Sequence, residues 1–440
     1  MENRQYFDTD NLITTYFRQS LPVVFSMMIT VIYNLADTWF IARTNNAMLV
    51  AGVSLCSPLF MLLMAIGNIF GQGGSSLIAR MLGRGEREGV ARVSAGCFYA
   101  AILVGVVVAF PLVLFREPVL KLFGASAETL PHAMEYYTVL AVSAPACILS
   151  FIHSNLLRSE GLSVQSVIGM IAGSLLNIVL DPILISGLGW GARGAAVATV
   201  LGYLLTDVLY IFIVRRKSQC LSMNPAKARL SGEEVRQILG VGTAAAITNI
   251  ASAVCVVFMN KFLAPYGDDR IAALGIASRI ITIVQLVLVG FSFGGIPLFG
   301  FLYGAGDTEK LKRILRFCTL FLCGTALLFS VVLCLLATPA IRLFIDHAGI
   351  IAEGTRILRW QVSGMVFCAI VLLFTCLFQA LGKAPQALIM SVSRQGVLFI
   401  LVFIIATTVA GYNGFLAAQL ISDLLSAVLA LLVYRTIARG

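Results

Sequence analysis

The sequence predicts an all-α membrane protein with twelve transmembrane helices in two similar six-helix lobes. Three observations predict this fold class: an apolar composition, an uneven distribution of basic residues among the loops, and an internal repeat. Of the 440 residues, 59% are hydrophobic and only 12% are charged, and the mean hydropathy is +0.94. Because a soluble domain is about 25% charged, this composition excludes a water-soluble fold and indicates helices surrounded by lipid.

Twelve apolar stretches are each long enough to cross a bilayer, which takes roughly 20 helical residues. Glycine and polar residues separate them, as expected of loops. The polar N-terminal segment MENRQYFDTDNL lacks the basic start and short apolar stretch of a cleavable signal peptide, so the first stretch is predicted to be a retained span. The stretches cover residues 18–42, 47–71, 92–115, 134–157, 163–186, 194–214, 237–262, 271–300, 314–338, 357–380, 388–410 and 414–435.

Lysine and arginine are concentrated on one side of these spans. With the N-terminus inside, one side receives 21 of them and the other receives 9. The positive-inside rule then places both termini in the cytoplasm, and we expect a multi-pass protein of the cell inner membrane. The net charge of +10 is explained by these topological anchors, so no nucleic-acid partner is expected.

Motifs for metal or catalytic chemistry are missing from the sequence. The ten cysteines contain no C-x-x-C pair and are predicted to be reduced, packed residues. There is no H-E-x-x-H, no G-x-S-x-G and no P-loop. We therefore predict that the protein is neither an enzyme nor directly driven by ATP, and that it has no cofactor.

Two similar segments follow the second and the eighth span. GQGGSSLIARMLGRGE begins at Gly71 and FSFGGIPLFGFLYGAGD begins at Phe291. A constant offset of 220 or 221 residues in three separate places indicates duplication. The matching pairs are Gly73/Gly294, Gly74/Gly295, Gly83/Gly304, Gly85/Gly306, Gly161/Gly382, Gln165/Gln386, Gly191/Gly411 and Gly194/Gly414.

The longest basic loop joins the two halves of this repeat. We predict an N-terminal lobe over residues 1–214, a cytoplasmic linker over 215–236 and a C-terminal lobe over 237–440. Six spans is an even number, so both halves enter the membrane from the same side, as in transporters with parallel repeats. This organisation favours movement of a solute by rocking of one lobe against the other.

Two isolated acids lie inside spans of the N-terminal half. Asp37 and Asp181 each lie about 20 residues after the inner end of their span, which places both in the outer half of the membrane. Tyr33 and Asn34 precede Asp37 by about one helical turn, and Asn177 precedes Asp181 in the same way. Acids inside the membrane are functional candidates by default. The alternative is that they only pair with polar groups and hold helices together.

The chemistry of these residues suits ion coupling. A buried carboxylate can change its protonation near neutral pH, or it can bind Na⁺ through its oxygens together with Asn177. At an offset of 221, Asp37 corresponds to Phe258 and Asp181 to Val402. The absence of acids from the matching positions places the predicted coupling in the N-terminal half.

Other polar residues inside the spans are weaker candidates. Asp207 in the sixth span and Asp423 in the twelfth are expected to lack an amide partner one turn away. Asn155 can line a cavity or support helix packing. Pro22 permits a kink in the helix that carries Asp37, which makes this helix a candidate moving part.

These motifs together resemble the multidrug and toxic compound extrusion (MATE) family over nearly the whole chain. The resemblance rests on the Tyr33-Asn34-x-x-Asp37 end of the first span, on GQGGSSLIARMLGRGE, on RSEG at 158–161 and on LLNIVLDPILI at 175–185 followed by GARGAAVAT. It implies a monomeric antiporter in the lipid bilayer. Such a protein exports amphipathic, often cationic small molecules in exchange for H⁺ or Na⁺ by alternating access.

The resemblance also implies a set of site residues. Some family members carry acids in spans seven and ten, but this sequence has none there, so coupling in the N-terminal lobe is favoured. Na⁺, where it is the ion, would bind at the two aspartates and Asn177. The implied coupling residues are Asp37, Asn155, Asn177, Asp181 and Thr199, with Tyr137 nearby and Pro22 at the bend of the first span.

The alternative function is a flippase for a lipid-linked precursor. Such a protein would need a strongly cationic cavity to hold a pyrophosphate, and only Arg279 and Arg394 are candidates for that role. A receptor or scaffold is disfavoured by the internal duplication.

Overall fold

A computed structural model describes residues 7–44 and 46–439, without the side chains of residues 249, 250, 252–254, 256, 257, 264, 268, 438 and 439. All regular secondary structure in this part of the chain is helical and no strand is present, which confirms the predicted all-α class. The helices are α1 (Leu12–Ala42), α2 (Ala47–Ser54), α3 (Ser57–Arg84), α4 (Arg87–Leu114), α5 (Arg116–Leu122), α6 (Leu130–Val142), α7 (Ala144–Ser159), α8 (Ser163–Asp181), α9 (Gly191–Lys217), α10 (Gly232–Leu263), α11 (Asp268–Gly304), α12 (Thr308–Leu335), α13 (Ala337–Arg342), α14 (Ala348–Ser363), α15 (Met365–Ala380), α16 (Ala384–Gln395) and α17 (Val397–Arg439).

Most predicted spans correspond directly to long apolar helical segments. Among the described residues, 8 segments can cross a membrane, and two bent helix pairs raise the number to 10. The pair α6 and α7 is bent by 56° and the pair α14 and α15 by 47°. The breaks fall at Ser143 and Gly364, which are one repeat apart. The same bend therefore occurs at the same place in each half.

The last two predicted spans lie in one segment that folds back on itself. Gly411, inside α17, has φ 53° and ψ −127°, a conformation that favours glycine. The rings of Phe403 and Phe415 are 6.0 Å apart, although twelve residues of continuous helix would separate them by about 18 Å. The chain therefore reverses at Gly411. With α10 as the seventh span, the twelve-helix prediction is confirmed.

The chain divides into two compact units that do not follow the order of the sequence simply. The N-terminal unit contains Phe25–Gly242, and the C-terminal unit contains Thr9–Val24 and Thr243–Gly440. The first part of α1 thus belongs to the C-terminal unit, and the first part of α10 belongs to the N-terminal unit. The division within α1 falls two residues after Pro22, which lies inside a helix that continues across it.

Equivalent glycines of the repeat hold these two helix starts. A Cβ atom on Gly294 of α11 would lie 2.3 Å from the Ser20 Cα atom of α1. A Cβ atom on Gly73 of α3 would lie 2.1 Å from the Ile238 carbonyl oxygen of α10. No Cβ atom fits at either distance, so each glycine lets two helix backbones touch. In this way α11 packs directly on the first part of α1, and α3 packs directly on the first part of α10.

The segment between α9 and α10 is fixed to the N-terminal unit by specific polar contacts. Glu160, just after α7, accepts hydrogen bonds from the Ser218 hydroxyl (2.5 Å) and from the Gln219 and Cys220 amides (2.8 Å each). Arg92 of α4 forms a 2.7 Å ion pair with Glu234. The predicted linker is therefore an ordered strap rather than a free tether.

Candidate ion and substrate site in the N-terminal unit

The N-terminal unit encloses a cavity of about 140 Å³. It lies among α1, α3, α7, α8 and α9. Close helix packing shapes one wall: a Cβ atom on Gly202 of α9 would lie 2.8 Å from the Gly173 carbonyl oxygen of α8. The lining combines hydroxyl and amide groups with aromatic and methionine side chains, namely Thr30, Tyr33, Asn34, Phe60, Met64, Ser150, Phe151, Ser154, Met170, Gly173, Ser174, Asn177, Thr199, Gly202, Tyr203, Thr206 and Tyr210.

Two carboxyl groups lie together next to this cavity. Asp181 is the last residue of α8, and its carboxyl group is a direct neighbour of that of Asp37. Asp181 is 0% exposed, and neither of its carboxylate oxygens nor Asp37 Oδ1 has a hydrogen-bond partner among the described residues. Ionised carboxylates only accept hydrogen bonds. The pair can therefore be satisfied by a shared proton or by a cation between them.

The backbone after Asp181 adopts a rare conformation. Pro182 begins a π-helical turn that runs to Gly187. Proline cannot donate an N–H group to the helix ladder, and π-helical turns inside α-helices occur frequently at functional sites. This turn terminates α8 directly at the acid pair.

Asn177 and Thr199 extend the polar end of the site. The Asn177 amide nitrogen donates to the Thr199 hydroxyl at 3.3 Å, and that hydroxyl donates to the Ala195 carbonyl at 3.0 Å. Asn177 Oδ1 is buried without a partner among the described residues. One turn of α8 thus presents an amide oxygen in addition to the Asp181 carboxylate, and neutral oxygens of this kind are suitable ligands for a hard cation.

Tyrosines complete this end of the site. Tyr33 of α1 interacts with both aspartates and with Thr199. Tyr136 of α6 interacts with Asp37, Tyr33 and Thr199. The resemblance implied Tyr137, but Tyr136 is the neighbour of Asp37, since the apolar pattern of α6 does not decide which of two adjacent tyrosines faces Asp37.

Three other named residues lie away from the acid pair. Tyr137 is fully buried beside Cys56, which lies between α2 and α3. Asn155 donates to the Phe151 carbonyl at 2.8 Å and packs against Gly71 of α3. Pro22 lies in the part of α1 that belongs to the C-terminal unit. Asn34, in contrast, lines the cavity.

The two remaining candidate acids differ in their partners. Asp207 Oδ1 accepts a 2.7 Å hydrogen bond from Ser150, while its buried Oδ2 has no partner among the described residues. Asp423, in the C-terminal unit, accepts hydrogen bonds from the Arg394 guanidinium at 3.2 Å and from the Gln419 amide at 3.1 Å. Gln419 precedes Asp423 by one helical turn, so the expectation that Asp423 lacks an amide partner is wrong. The Asp423 charge is therefore already balanced.

Cysteine chemistry and a dedicated metal centre play no visible part. All ten cysteines are free. Among the described residues, no three histidine, cysteine or acidic side chains are grouped so that they could hold a metal ion. A sodium ion at the acid pair would therefore rely on the oxygens of Asp37, Asp181 and Asn177, whose hard-donor chemistry fits that ion.

Comparison with known proteins identifies similar chains over the full length. The family model MatE matches twice, over residues 22–183 and again over 244–405, which confirms the internal duplication. The multidrug export protein MepA of Staphylococcus saprophyticus subsp. saprophyticus is 30% identical over 435 residues, which represent 98% of this chain and 95% of that protein.

Solved structures share the same architecture. A MATE crystal structure in the bent conformation is 25% identical, covers 97% of this chain and 95% of that chain, and has a TM-score of 0.91. An outward-facing multidrug resistance MATE family transporter of the MOP superfamily is 25% identical, covers 96% of this chain and 95% of that chain, and has a TM-score of 0.89.

Proposed function

Because this chain belongs to the MatE family, we propose that it exports amphipathic, often cationic small molecules across the membrane in exchange for H⁺ or Na⁺. The observation that carries the proposal is the adjacent pair of Asp37 and Asp181, in which three of the four carboxylate oxygens are buried without a donor among the described residues. The multidrug export relatives support small-molecule cargo, and the multi-pass helices place the protein in a membrane.

The acid pair supplies a reason for exchange rather than simple diffusion. Two adjacent carboxyl groups cannot both stay ionised in a buried site without a compensating charge. A coupling ion that binds the pair provides this charge, and a bound ion shifts the balance between conformations according to its different affinity for each. A cationic substrate in the adjoining cavity would compete for the same negative charge, so one cation would leave as the other enters.

The aromatic and methionine part of the lining supports a broad choice of substrate. Phe60, Phe151, Met64 and Met170 face the cavity. Methionine side chains adapt their shape readily, and aromatic faces attract organic cations. Such a surface binds by area and charge, which suits compounds of differing structure.

We further propose a cytoplasmic location for both termini and function as a monomer. The basic residues are divided 21 to 9 between the two sides, and the last turn of α9 carries the basic residues Arg215, Arg216 and Lys217. The acid pair and its cavity are built within one unit of a single chain. The predicted lobes, 1–214 and 237–440, would then rock against each other during transport.

The structure offers little support for the flippase alternative. Arg394 is buried and bonded to Asp423, so its charge is not free to hold a pyrophosphate. Arg279 is exposed on α11. The cavity lining of the N-terminal unit contains no basic side chain.

A vesicle transport assay tests the proposal. Purified full-length protein in inside-out proteoliposomes is given a fluorescent cationic dye under an imposed pH gradient or, separately, an imposed Na⁺ gradient. We expect one gradient to drive dye accumulation and Asp37→Asn to abolish that accumulation. The exposed acid Asp346 supplies the control variant Asp346→Asn, which should transport as the wild type does.

Two results would contradict the proposal. Wild-type protein that is folded and inserted, yet accumulates dye under neither gradient, would rule out this exchange. Full activity of both Asp37→Asn and Asp181→Asn would remove the acid pair from the mechanism.

A further inference from the structure

The N-terminal unit contains a second buried acid that the proposed ion site does not use. Asp207 lies on α9 eight residues after Thr199, so it is about 12 Å further along the helix. Its side chain is only 5% exposed. Ser150 of α7 donates to Oδ1, but Oδ2 has no hydrogen-bond partner among the described residues.

Among the described residues, burial and the Ser150 hydrogen bond are the influences on the Asp207 carboxyl group, and no basic side chain is among them. The buried Arg158 interacts with Tyr210 rather than with Asp207. The helices α6, α7 and α8 pack against α9. At the level of Asp207, α8 presents Gly169 and Gly173, which carry no charge, and α6 contributes Tyr136 only through its contact with Tyr203. The titratable groups that face Asp207 are Cys147 of α7 and Tyr203 and Tyr210 of α9.

This environment differs from that of an acid with a structural role. A buried carboxylate without a counter-charge is costly, and a protonated carboxyl group is far less so. The Asp423 carboxylate has the Arg394 guanidinium as its counter-charge. Asp207 has no such partner, and gain or loss of a proton is the change that its surroundings allow.

The cavity reaches the neighbours of both Asp207 and the acid pair. Ser150, which holds Asp207, lines the cavity together with Asn177 and Thr199 from the other end. The hydroxyl groups of Ser174 and Thr206 lie along the same lining. The lining of this cavity of about 140 Å³ is mainly apolar, but its hydroxyl and amide groups form a row of polar partners that can hold several water molecules. Water chains of this kind conduct protons between carboxyl groups.

Polar side chains continue beyond Asp207 toward the Lys217 end of α9. The Tyr210 hydroxyl donates to the Ser166 carbonyl at 2.7 Å. The Ser154 and Ser166 hydroxyls are 3.0 Å apart, and Arg158 donates to the Ser154 hydroxyl at 2.8 Å. The proposed topology places this end of the helix in the cytoplasm.

We propose that Asp207 is the inner proton-relay residue of the exchanger. It accepts on Oδ2 the proton released by the Asp37–Asp181 pair and passes it through water toward the cytoplasmic end of α9. At each transfer the donor carboxyl group becomes a carboxylate and Asp207 becomes a neutral acid, or the reverse. Ser150 orients the group through Oδ1 and leaves Oδ2 for the proton. The inference rests on the proposed function and specifies H⁺ as its coupling ion.

Two assays in proteoliposomes separate proton relay from substrate movement. Accumulation of ethidium driven by a pH gradient requires net proton transfer. Counterflow of labelled against unlabelled ethidium requires only that the loaded carrier crosses the membrane. Asp207→Asn keeps an acceptor for Ser150 but cannot carry the proton. We expect it to slow pH-driven accumulation by at least about tenfold and to leave counterflow unchanged.

The controls make the outcomes distinct. Asp207→Glu should restore much of the pH-driven rate, and Asp346→Asn should behave as the wild type in both assays. Equal loss of both activities in Asp207→Asn would indicate a structural role and overturn the relay. Wild-type pH-driven transport by Asp207→Asn would also overturn it, as would a wild type driven by Na⁺ alone, and both results leave the exporter function standing. A wild type driven by neither gradient would remove the proposed function itself.

Discussion

Equivalent regions of the two units differ: the N-terminal unit has a cavity where the C-terminal unit has a buried ion pair. In the N-terminal unit, Gly173 of α8 and Tyr203 of α9 line a cavity of about 140 Å³. One repeat later the matching positions are Arg394 and Asp423, which form a buried ion pair. Beside Gln419, which corresponds to Thr199, the C-terminal unit has a cavity of only about 10 Å³.

The difference shows how a duplicated fold can assign ion binding to one half. Both units place acids inside the membrane-spanning helices. In the C-terminal unit an arginine from the neighbouring helix neutralises the acid, so no outside cation is needed. In the described part of the N-terminal unit no arginine pairs with Asp37 or Asp181, and the lining of the cavity beside them contains no basic side chain.

The largest expected effect comes from breaking the ion pair. Arg394→Met leaves the Asp423 carboxylate buried with the Gln419 amide as its remaining partner, and loss of one member of a buried pair costs about 3–5 kcal/mol. We expect the free energy of unfolding, measured by denaturant titration in mixed micelles, to fall by that amount. The double variant Arg394→Met/Asp423→Asn should recover most of the loss. Wild-type stability of Arg394→Met alone would show that the pair does not hold the C-terminal unit.

The second prediction concerns the acid in the other unit. Asp181→Asn removes a buried carboxylate that has no internal donor, so we expect the stability of the protein to be unchanged or higher. Gradient-driven dye transport should fall on the order of 100-fold, because the charge that binds the ion is lost. Asp346→Asn serves as the control. A stability loss comparable to that of Arg394→Met would contradict the contrast between the two units.

Several of these features could be predicted from sequence, and others could not. The spans follow from hydropathy, and the repeat follows from glycines that are needed wherever backbones touch, such as Gly73 and Gly294. Asp37 and Asp181 were identifiable because each is an isolated charge in an apolar run. These signals are local and depend on residue type alone.

The remaining features depend on which helix faces meet in three dimensions. Arg394 and Asp423 are 29 residues apart and on different helices, so no spacing rule joins them. Hydropathy likewise cannot choose between Tyr136 and Tyr137, or show that the start of α1 packs within the C-terminal unit. Neighbours of this kind become visible only when the helices are assembled.

A smaller effect is expected from Thr199, whose counterpart in the other unit is Gln419. Thr199→Val keeps the shape of the side chain but removes the hydroxyl that accepts from Asn177. Loss of one hydrogen bond of about 1 kcal/mol should weaken the apparent affinity for the coupling ion about fivefold, measured from the ion dependence of dye transport. Thr199→Ser restores the hydroxyl and should restore the affinity. Equal behaviour of the valine and serine variants would exclude a role for this bond.

The smallest effect concerns the turn after α7, where the units differ again. Glu160 binds the strap, whereas Leu381 occupies the matching position in the C-terminal unit. Burial raises the pKa of the Glu160 carboxyl above its ordinary value, although its hydrogen bonds from Ser218, Gln219 and Cys220 act in the opposite direction. An acid whose pKa is raised by folding stabilises the docked strap at low pH, and that contribution is lost as the pH rises through the folded pKa.

Trypsin cleavage at the exposed Lys227 and Arg229 reports how often the strap opens. Glu160→Gln imitates the protonated acid and keeps an acceptor for both amides, so its cleavage should be slow at every pH. Relative to that variant at the same pH, the wild type should be cleaved faster as the pH rises toward 8. Glu160→Ala loses all three bonds, and we expect a rate about fivefold above that of the glutamine variant, equivalent to about 1 kcal/mol. If the Glu160→Gln and Glu160→Ala variants are cleaved equally fast, the Arg92–Glu234 pair holds the strap instead. The difference between Glu160 and Leu381 would then have no effect on docking of the strap.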